Sequence, residues 1–443
     1  MLQIAARAVE RARQLGAQQA AAGVYRSREV SIQWRDGQME KVIEATSRGL
    51  GVDLYVDGRF ASVSTCDMRD EALDRFLQDA VALTRTIAAD PFRQLPDPQS
   101  YPQWARRSEP APIDLELEDP DYAQVTALER RELAEILEQS ARKGDSNGAI
   151  LSVTTSVSDS IDESWRVHSN GFSAARRGTS YWLGADVSVQ DVDGRRPEEA
   201  AYAGSRFFNQ LPQAISVGQL AVERALGRLG SVKPASAVQT LVVDQRASGR
   251  LLAYLMGPMS GAALQQKRTF LGEKLGQSIG SPLLHVQDDP FVKRGFGSRL
   301  VDSEGIEAKP RVILDQGRLS MFFIDTYYGR KLGVPPTTSG SSNLAWQLGS
   351  LDAMGLIAQA GEGLYVTGFL GGNSNATTGD FSLGVQGFAI RNGKLAEPVA
   401  EANIADNHLQ FWPRLVAVGN DPYPYSSMRT PSLVFDKVMV AGT

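Results

Sequence analysis

Residues 367–387 read Thr-Gly-Phe-Leu-Gly-Gly-Asn-Ser-Asn-Ala-Thr-Thr-Gly-Asp-Phe-Ser-Leu-Gly-Val-Gln-Gly. Glycine permits a positive φ and a close backbone approach, and asparagine tolerates the same left-handed geometry. After Asp380 the alternation predicts a strand whose glycines admit another backbone or a ligand. A structural corner and a peptide or subunit contact both remain open interpretations of this stretch. The candidate contact residues here are Gly371, Gly372, Asn373, Asn375 and Asp380.

Outward from this stretch, helical periods and short β-rich runs follow one another along the chain. Asp36-Gly37 and Asp57-Gly58 separate β-rich runs, which predicts tight hairpin turns and an antiparallel meander. The prolines between 91 and 112 predict an extended, helix-free crossing. The predicted strands include Glu29–Trp34, Met39–Ser47, Gly51–Val56, Arg59–Thr65 and Thr240–Val243, and the predicted helices cover about 3–16, 70–89, 121–142, 216–229 and a segment ending at Pro258.

These patterns favour an α+β fold with mixed, largely antiparallel sheets and flanking helices, because helices interrupt the sheets without alternating strictly with parallel strands. A chain of 443 residues is too long for one ordinary core. We place the domain boundary at Lys233-Pro234, which gives an N-terminal domain of residues 1–232 and a C-terminal domain of residues 233–443.

Composition narrows the class of protein. A net charge of −5, spread along the chain, is unlike the basic surface that binds nucleic acid or an anionic membrane. No apolar run has the roughly 20 residues of a membrane span, and the N-terminus lacks the apolar core of a signal peptide. Cys66 is the one cysteine, so a cysteine zinc cluster is excluded. We expect a cytoplasmic protein without direct nucleic-acid or membrane contact.

Chemistry-bearing clusters are few. His285 with Asp288 and Asp289 is the only compact cluster of nitrogen and oxygen ligands, and a surface turn explains it equally well. His168 and His408 are interpreted as ordinary polar positions. A Ser-His-Asp site assembled from distant sequence stays open, although no Gly-x-Ser-x-Gly elbow occurs.

A second unusual motif covers residues 419–432, Gly-Asn-Asp-Pro-Tyr-Pro-Tyr-Ser-Ser-Met-Arg-Thr-Pro-Ser. Its prolines predict a rigid loop, and tyrosine, methionine and arginine are favoured in interface cores. A subunit contact and a well-packed tail are both consistent with it. The candidate contact residues are Asn420, Tyr423, Tyr425 and Arg429.

Several stretches together resemble the TldD/PmbA family in order and spacing. They are residues 269–279, Asp288-Asp289, Asp325-Thr326-Tyr327, residues 367–373 and residues 418–432. The similarity extends more loosely over nearly the whole chain and is closest to the PmbA branch, also called TldE. The family, also described as modulators of DNA gyrase, includes peptidases in which TldD and TldE resemble one another in fold and pair as a heterodimer. In TldD, zinc is held by a His-Glu-x-x-x-His helix and a later cysteine, whereas TldE carries none.

The helix in residues 249–258 lacks that zinc motif. Ala253, Tyr254 and Pro258 stand at the corresponding positions, and no cysteine follows Cys66. The resemblance therefore implies a metal-free, non-catalytic subunit with no cofactor of its own. It also implies a TldD-like partner that holds zinc and acts on small or unfolded polypeptides such as leader peptides. The alternatives are a free-standing homodimer with a structural or regulatory role and a hydrolase of unrecognised mechanism.

Overall fold

The computed structural model describes residues 1–145 and 148–442 and contains ten labelled α-helices and sixteen strands in that part of the chain. The helices are α1 Leu2–Gln14, α2 Asp70–Thr84, α3 Gln103–Arg107, α4 Ala127–Lys143, α5 Ala214–Leu226, α6 Gln245–Met256, α7 Gly261–Gln265, α8 Thr326–Leu332, α9 Ala353–Ala360 and α10 His408–Phe411. The strands are β1 Gln19–Arg35, β2 Gln38–Val56, β3 Arg59–Thr65, β4 Ile150–His168, β5 Ser173–Val189, β6 Glu198–Ser205, β7 Ala237–Val243, β8 Val286–Asp289, β9 Arg311–Asp315, β10 Arg318–Leu319, β11 Asn343–Trp346, β12 Gly363–Ser374, β13 Asp380–Arg391, β14 Lys394–Asn407, β15 Leu415–Val418 and β16 Leu433–Ala441.

The first sheet is a single antiparallel layer in the order β3-β2-β1-β4-β5-β6. Asp36 and Gly37 take the positive φ that the predicted turn requires, as does Asp57 before Gly58. The predicted short runs were wrong in length, because β1 and β2 are continuous over 17 and 19 residues. Residues 38–48 of β2 are exposed on both faces, and residues 48–50 join the two predicted runs 39–47 and 51–56 into one strand paired with β1.

Two hydrophobic cores lie against this sheet. One is formed by α1 and α2 with the ends of β1 and β2, and Leu50, Leu54 and Leu77 are fully buried in it. The other is formed by α4 and α5 with β4, β5 and β6. Gly218 of α5 lies so close to α4 that a β-carbon would meet the Leu137 carbonyl oxygen at 2.3 Å.

Three helix predictions needed correction. The helix predicted over about 70–89 is α2 and ends at Thr84, with Arg85 as its C-cap. The helix predicted from residue 121 is α4 and begins at Ala127, because Thr126 and Glu129 form a capping box that fixes its first turn. The proline-rich crossing is not free of helix, since α3 lies within it, directly after Pro102. Proline lacks the amide hydrogen that a helix start leaves unbonded, so it is tolerated there.

The remaining strands form two sheets, with orders β10-β9-β8-β11 and β14-β13-β12-β7-β16-β15. Strand β7 pairs in parallel with β12 and antiparallel with β16, while the other pairings between labelled strands in these two sheets are antiparallel. The α+β class with mixed, largely antiparallel sheets is therefore confirmed. The boundary after residue 232 stays a prediction, because Val232 itself forms a bridge to Val399 of β14. None of the helices described here is long and apolar enough to cross a membrane.

Candidate functional site

Helix α6 carries the positions where the resemblance places a zinc motif. Asp244 caps the helix by accepting a hydrogen bond from the Arg246 amide. Ala253 and Tyr254 lie in its last turn, and Pro258 is buried in the 3₁₀ turn that follows. Zinc needs nitrogen, oxygen or sulfur ligands, and neither an alanine methyl nor a proline ring supplies one. These residues do not fit a zinc ion.

A fixed positive charge stands one turn before Tyr254. The Arg250 guanidinium donates to the Tyr254 hydroxyl oxygen at 3.0 and 3.1 Å and to the Phe369 carbonyl oxygen at 2.9 Å, and it also donates to the Gly371 carbonyl oxygen. These bonds tie α6 to the glycine-rich strand β12. The nearby guanidinium disfavours a cation on this face of the helix.

His408 is buried beside the same helix. Its Nε2 atom lies 3.0 Å from the Ser374 hydroxyl oxygen, and the ring stacks on Phe270 and packs against Phe381, with centroids 5.6 and 4.7 Å away. Burial lowers the pKa of His408 to about 4, so the ring is neutral at physiological pH. Its Nδ1 atom is buried without a hydrogen-bond partner in the described residues.

His408 keeps its interpretation as a polar position without an assigned role, but its side chain is fully buried. The same is true of His168, which is 3% exposed and bonds through Nδ1 to the Tyr101 hydroxyl group at 3.0 Å. Phe270, which stacks on His408, lies 138 residues earlier in the chain. The aromatic residues around His408 are too far apart in the sequence for a spacing rule to predict their contact. Of these residues, Phe381 lies in the glycine-rich stretch that the sequence analysis singled out.

The glycine-rich stretch is a hairpin of β12 and β13. A β-carbon on Gly387 would lie 1.8 Å from the Tyr365 carbonyl oxygen, which confirms the prediction that glycines here admit another backbone. Gly372, with φ +85°, approaches the Ser382 carbonyl oxygen in the same way. At the tip, Gly371, Gly372 and Asn373 are exposed.

The other tip residues maintain the turn. The Asn375 side-chain oxygen accepts from the Thr377 amide at 2.9 Å, and Asp380 accepts from Thr378 and from Asn407. Asn375 and Asp380 therefore have structural bonds within the hairpin, while their exposed positions leave them at its surface.

The Tyr-Pro-Tyr loop packs inside the chain. Tyr425 packs against the core formed by α4 and α5, and Tyr423 contacts Tyr425 edge to face at 5.6 Å. Asn420 is exposed and donates to the Ser350 carbonyl oxygen at 3.0 Å. Arg429 is half-buried.

The loop, the glycine-rich hairpin and α6 meet in one place. The Ser248 hydroxyl group of α6 donates to the Pro431 carbonyl oxygen at 2.8 Å, and Arg250 bonds to β12. The structure therefore brings the three motifs together, although more than a hundred residues of sequence separate α6 from the glycine-rich hairpin.

The His285 cluster is not assembled into a site. His285 lies 3.1 Å from Asp315, Asp288 accepts from Ser342, and Asp289 accepts from the Phe291 amide. Within residues 1–145 and 148–442, no group of three or more His, Cys, Asp or Glu side chains is arranged to hold a metal ion.

Comparison with known proteins places these features in a family. Models of PmbA/TldA metallopeptidase domain 1, central domain and C-terminal domain match residues 20–84, 120–229 and 236–442. The metalloprotease PmbA of Escherichia coli O157:H7 is 28% identical over 93% of this chain and 90% of its own length.

Solved structures agree with these matches. A candidate modulator of DNA gyrase from Bacteroides thetaiotaomicron has 39% identity and a TM-score of 0.95, with 100% of this chain and 98% of that chain covered. TldE from Thermococcus kodakarensis shares the fold, with 19% identity, a TM-score of 0.85 and coverage of 99% and 100%.

Proposed function

This chain belongs to the PmbA/TldD metallopeptidase family, and from that premise we propose that it is the metal-free subunit of a heterodimeric zinc peptidase that processes small or unfolded polypeptides. The observation that carries the proposal is the face of α6, where Ala253, Tyr254 and Pro258 offer no zinc site and Arg250 supplies a positive charge. A TldD-like partner would hold the zinc.

His408 has a structural role in this proposal. A histidine with an apolar cage and a pKa near 4 is neutral at pH 7, and its Nε2 atom is already engaged by Ser374. It lies behind the glycine-rich hairpin as a packing group. We assign it no catalytic role.

The exposed hairpin tip is our proposed contact with the partner or the substrate. Gly371, Gly372 and Asn373 are exposed near the end of β12, where Arg250 occupies the Gly371 carbonyl oxygen. An extended peptide can add to exposed strand backbone with little sequence preference. In the partner, zinc would polarise the scissile carbonyl group and activate water. This chain would close the chamber and exclude folded proteins.

Native mass spectrometry of the tagged chain, recovered from its own host under mild conditions, tests the proposal. We expect a heavier complex that contains a His-Glu-x-x-x-His subunit and one zinc ion per heterodimer. A metal-free homodimer would refute the heterodimer and favour a free-standing structural or regulatory role. Turnover by the purified chain alone would favour the hydrolase alternative.

A matched pair of variants tests the hairpin tip. Asn373→Trp places a bulky ring at the exposed tip, while Lys394→Trp places the same ring at the exposed start of β14. We expect Asn373→Trp to reduce recovery of the partner or cleavage by the complex, and Lys394→Trp to leave both unchanged. If neither property responds to Asn373→Trp, the tip is not the contact.

A further inference from the structure

A cavity of about 1060 Å³ lies away from α6, between the first sheet and the C-terminal part of the chain. The cavity is lined by Ala111, residues 113–118, the end of β4, the start of β5 and residues 299–303. Its apolar wall includes Trp104, Phe172, Phe207 and Leu300. Ligand cavities commonly have volumes of roughly 300–1000 Å³, so this one is large enough for several residues of extended peptide.

Most charged side chains of this cavity already have partners. Arg177 pairs with Glu118 at 3.1 Å, and Arg294 pairs with Glu116 at 2.6 Å. The Asp114 carboxylate accepts from a backbone amide, and Asp302 accepts from the amides of residues 304, 306 and 339. The two Arg–Glu pairs balance their own charges, while Asp114 and Asp302 accept from neutral donors and keep their negative charge.

Arg176 and Arg299 differ from the other charged residues of the cavity. Neither forms an ion pair within 4.0 Å in the described residues. Arg299 donates only to the Thr338 hydroxyl oxygen and the Gly340 carbonyl oxygen, and its Nε atom is buried without a partner. Arg176 is exposed to the cavity, yet the surrounding protein and the positive charge of Arg299 lower its pKa.

A third guanidinium lies behind this pair. Arg206 is 9% exposed, donates to the carbonyl oxygens of Thr179 and Phe296, and has a buried Nε atom without a partner. Burial, together with the nearby positive charge of Arg176, lowers the pKa of Arg206 to about 10. Arg176 is repelled by both Arg299 and Arg206, and Asp162 offsets part of that repulsion, so an anion beside Arg176 and Arg299 would relieve the remainder.

We propose that this cavity binds a peptide through a carboxylate held by Arg176 and Arg299, while the aromatic wall packs against apolar neighbours of the acidic residue. The inference rests on the proposed function only in taking a peptide as the ligand. A planar guanidinium matches a carboxylate in two parallel hydrogen bonds.

Fluorescence anisotropy on the purified full chain tests the site with labelled peptides of about six residues, roughly 20 Å long when extended. One probe alternates leucine with glutamate and ends in an amide. A second replaces glutamate with glutamine and ends in a free carboxylate, and a third is the fully neutral glutamine amide. We expect one or both acidic probes to bind about tenfold or more tightly than the neutral probe. The arms thereby distinguish a side-chain carboxylate from a chain terminus.

Variants connect binding to the arginines. Arg176→Gln removes no side-chain hydrogen bond or ion pair found within residues 1–145 and 148–442. It should weaken the acidic probe about tenfold, and Arg176→Gln with Arg299→Gln should weaken it further. Arg13→Gln removes an exposed charge from α1 and should leave binding unchanged. Equal binding of acidic and neutral probes, or unchanged binding in Arg176→Gln, would overturn the site. Recovery of the partner is measured separately, so failure of the heterodimer would not be mistaken for failure of this site.

Discussion

The Arg250 guanidinium lies 3.0 Å from the Tyr254 hydroxyl oxygen, one helical turn away, and connects both residues to the backbone of β12. This contact joins the helix that lacks zinc ligands to the glycine-rich hairpin. Hydrogen bonds from a charged donor to neutral oxygen atoms stabilise a structure, so this contact needs no metal ion.

Arg250→Met should loosen the hairpin. The variant removes the bonds to Tyr254, Phe369 and Gly371 but keeps much of the apolar stem, so we expect a loss of about 1–3 kcal/mol in the free energy of unfolding. Hydrogen exchange should accelerate in residues 366–374. Tyr254→Phe, which removes one acceptor alone, should have a smaller effect. Unchanged exchange in Arg250→Met would show that the hairpin holds its shape without the arginine.

His408 should make stability depend on pH. Its folded pKa of about 4 lies below the ordinary value of 6.5, so the unfolded chain binds more protons between these values and stability falls as pH falls. Relative to the wild type, His408→Phe should gain about 2 kcal/mol between pH 7 and pH 5. Urea unfolding at both pH values measures this gain.

The control for that experiment is Leu54→Ala, which destabilises the core of α1 and α2 without touching the surroundings of His408 and removes no titratable group. Its stability difference from the wild type should be the same at pH 7 and pH 5. If His408→Phe also gave a constant difference, His408 would not be the group that titrates.

A metal chelator should inhibit the complex but should not affect this chain when it is alone. Because α6 supplies no zinc ligands at Ala253 and Pro258, 1,10-phenanthroline should leave the melting temperature of the purified chain unchanged. The same treatment should abolish cleavage by the complex recovered from the host. A lower melting temperature of the chain alone would indicate a metal site in this subunit.

Gly387→Ala should destabilise the hairpin. The added β-carbon would lie 1.8 Å from the Tyr365 carbonyl oxygen, so β12 or β13 must shift, at a cost of about 1–3 kcal/mol. Gly257→Ala is the matched control, since no atom lies within 4 Å of its added carbon. Thermal unfolding compares the two variants, and equal melting temperatures would contradict the close approach.

Local signals in the sequence predicted the Asp-Gly hairpin turns but not the aromatic surroundings of His408. The positive φ at Asp36 and Asp57 is a property of Asp-Gly pairs, which a short stretch of sequence reveals. The sequence also carries the signal for the helix start at Thr126, because Glu129 follows at capping-box spacing, although the helix was predicted to begin at residue 121.

Local sequence signals did not predict packing between residues that are far apart in the chain. The environment of His408 depends on Phe270 and Phe381, which only the fold brings together. The contact of Tyr425 with the core of α4 and α5 shows why its aromatic loop was ambiguous, since a contact within the chain and one between subunits favour the same residue types.

The order of strands in the first sheet has a consequence for how this protein is made. Strand β1 ends at Arg35, but its second neighbour β4 begins only at Ile150, more than a hundred residues later. At about 5–20 residues per second, a ribosome needs roughly 6–23 seconds to synthesise the intervening segment. During that interval the β1–β2 hairpin has one free edge, so early folding of this protein should benefit from a chaperone near the ribosome.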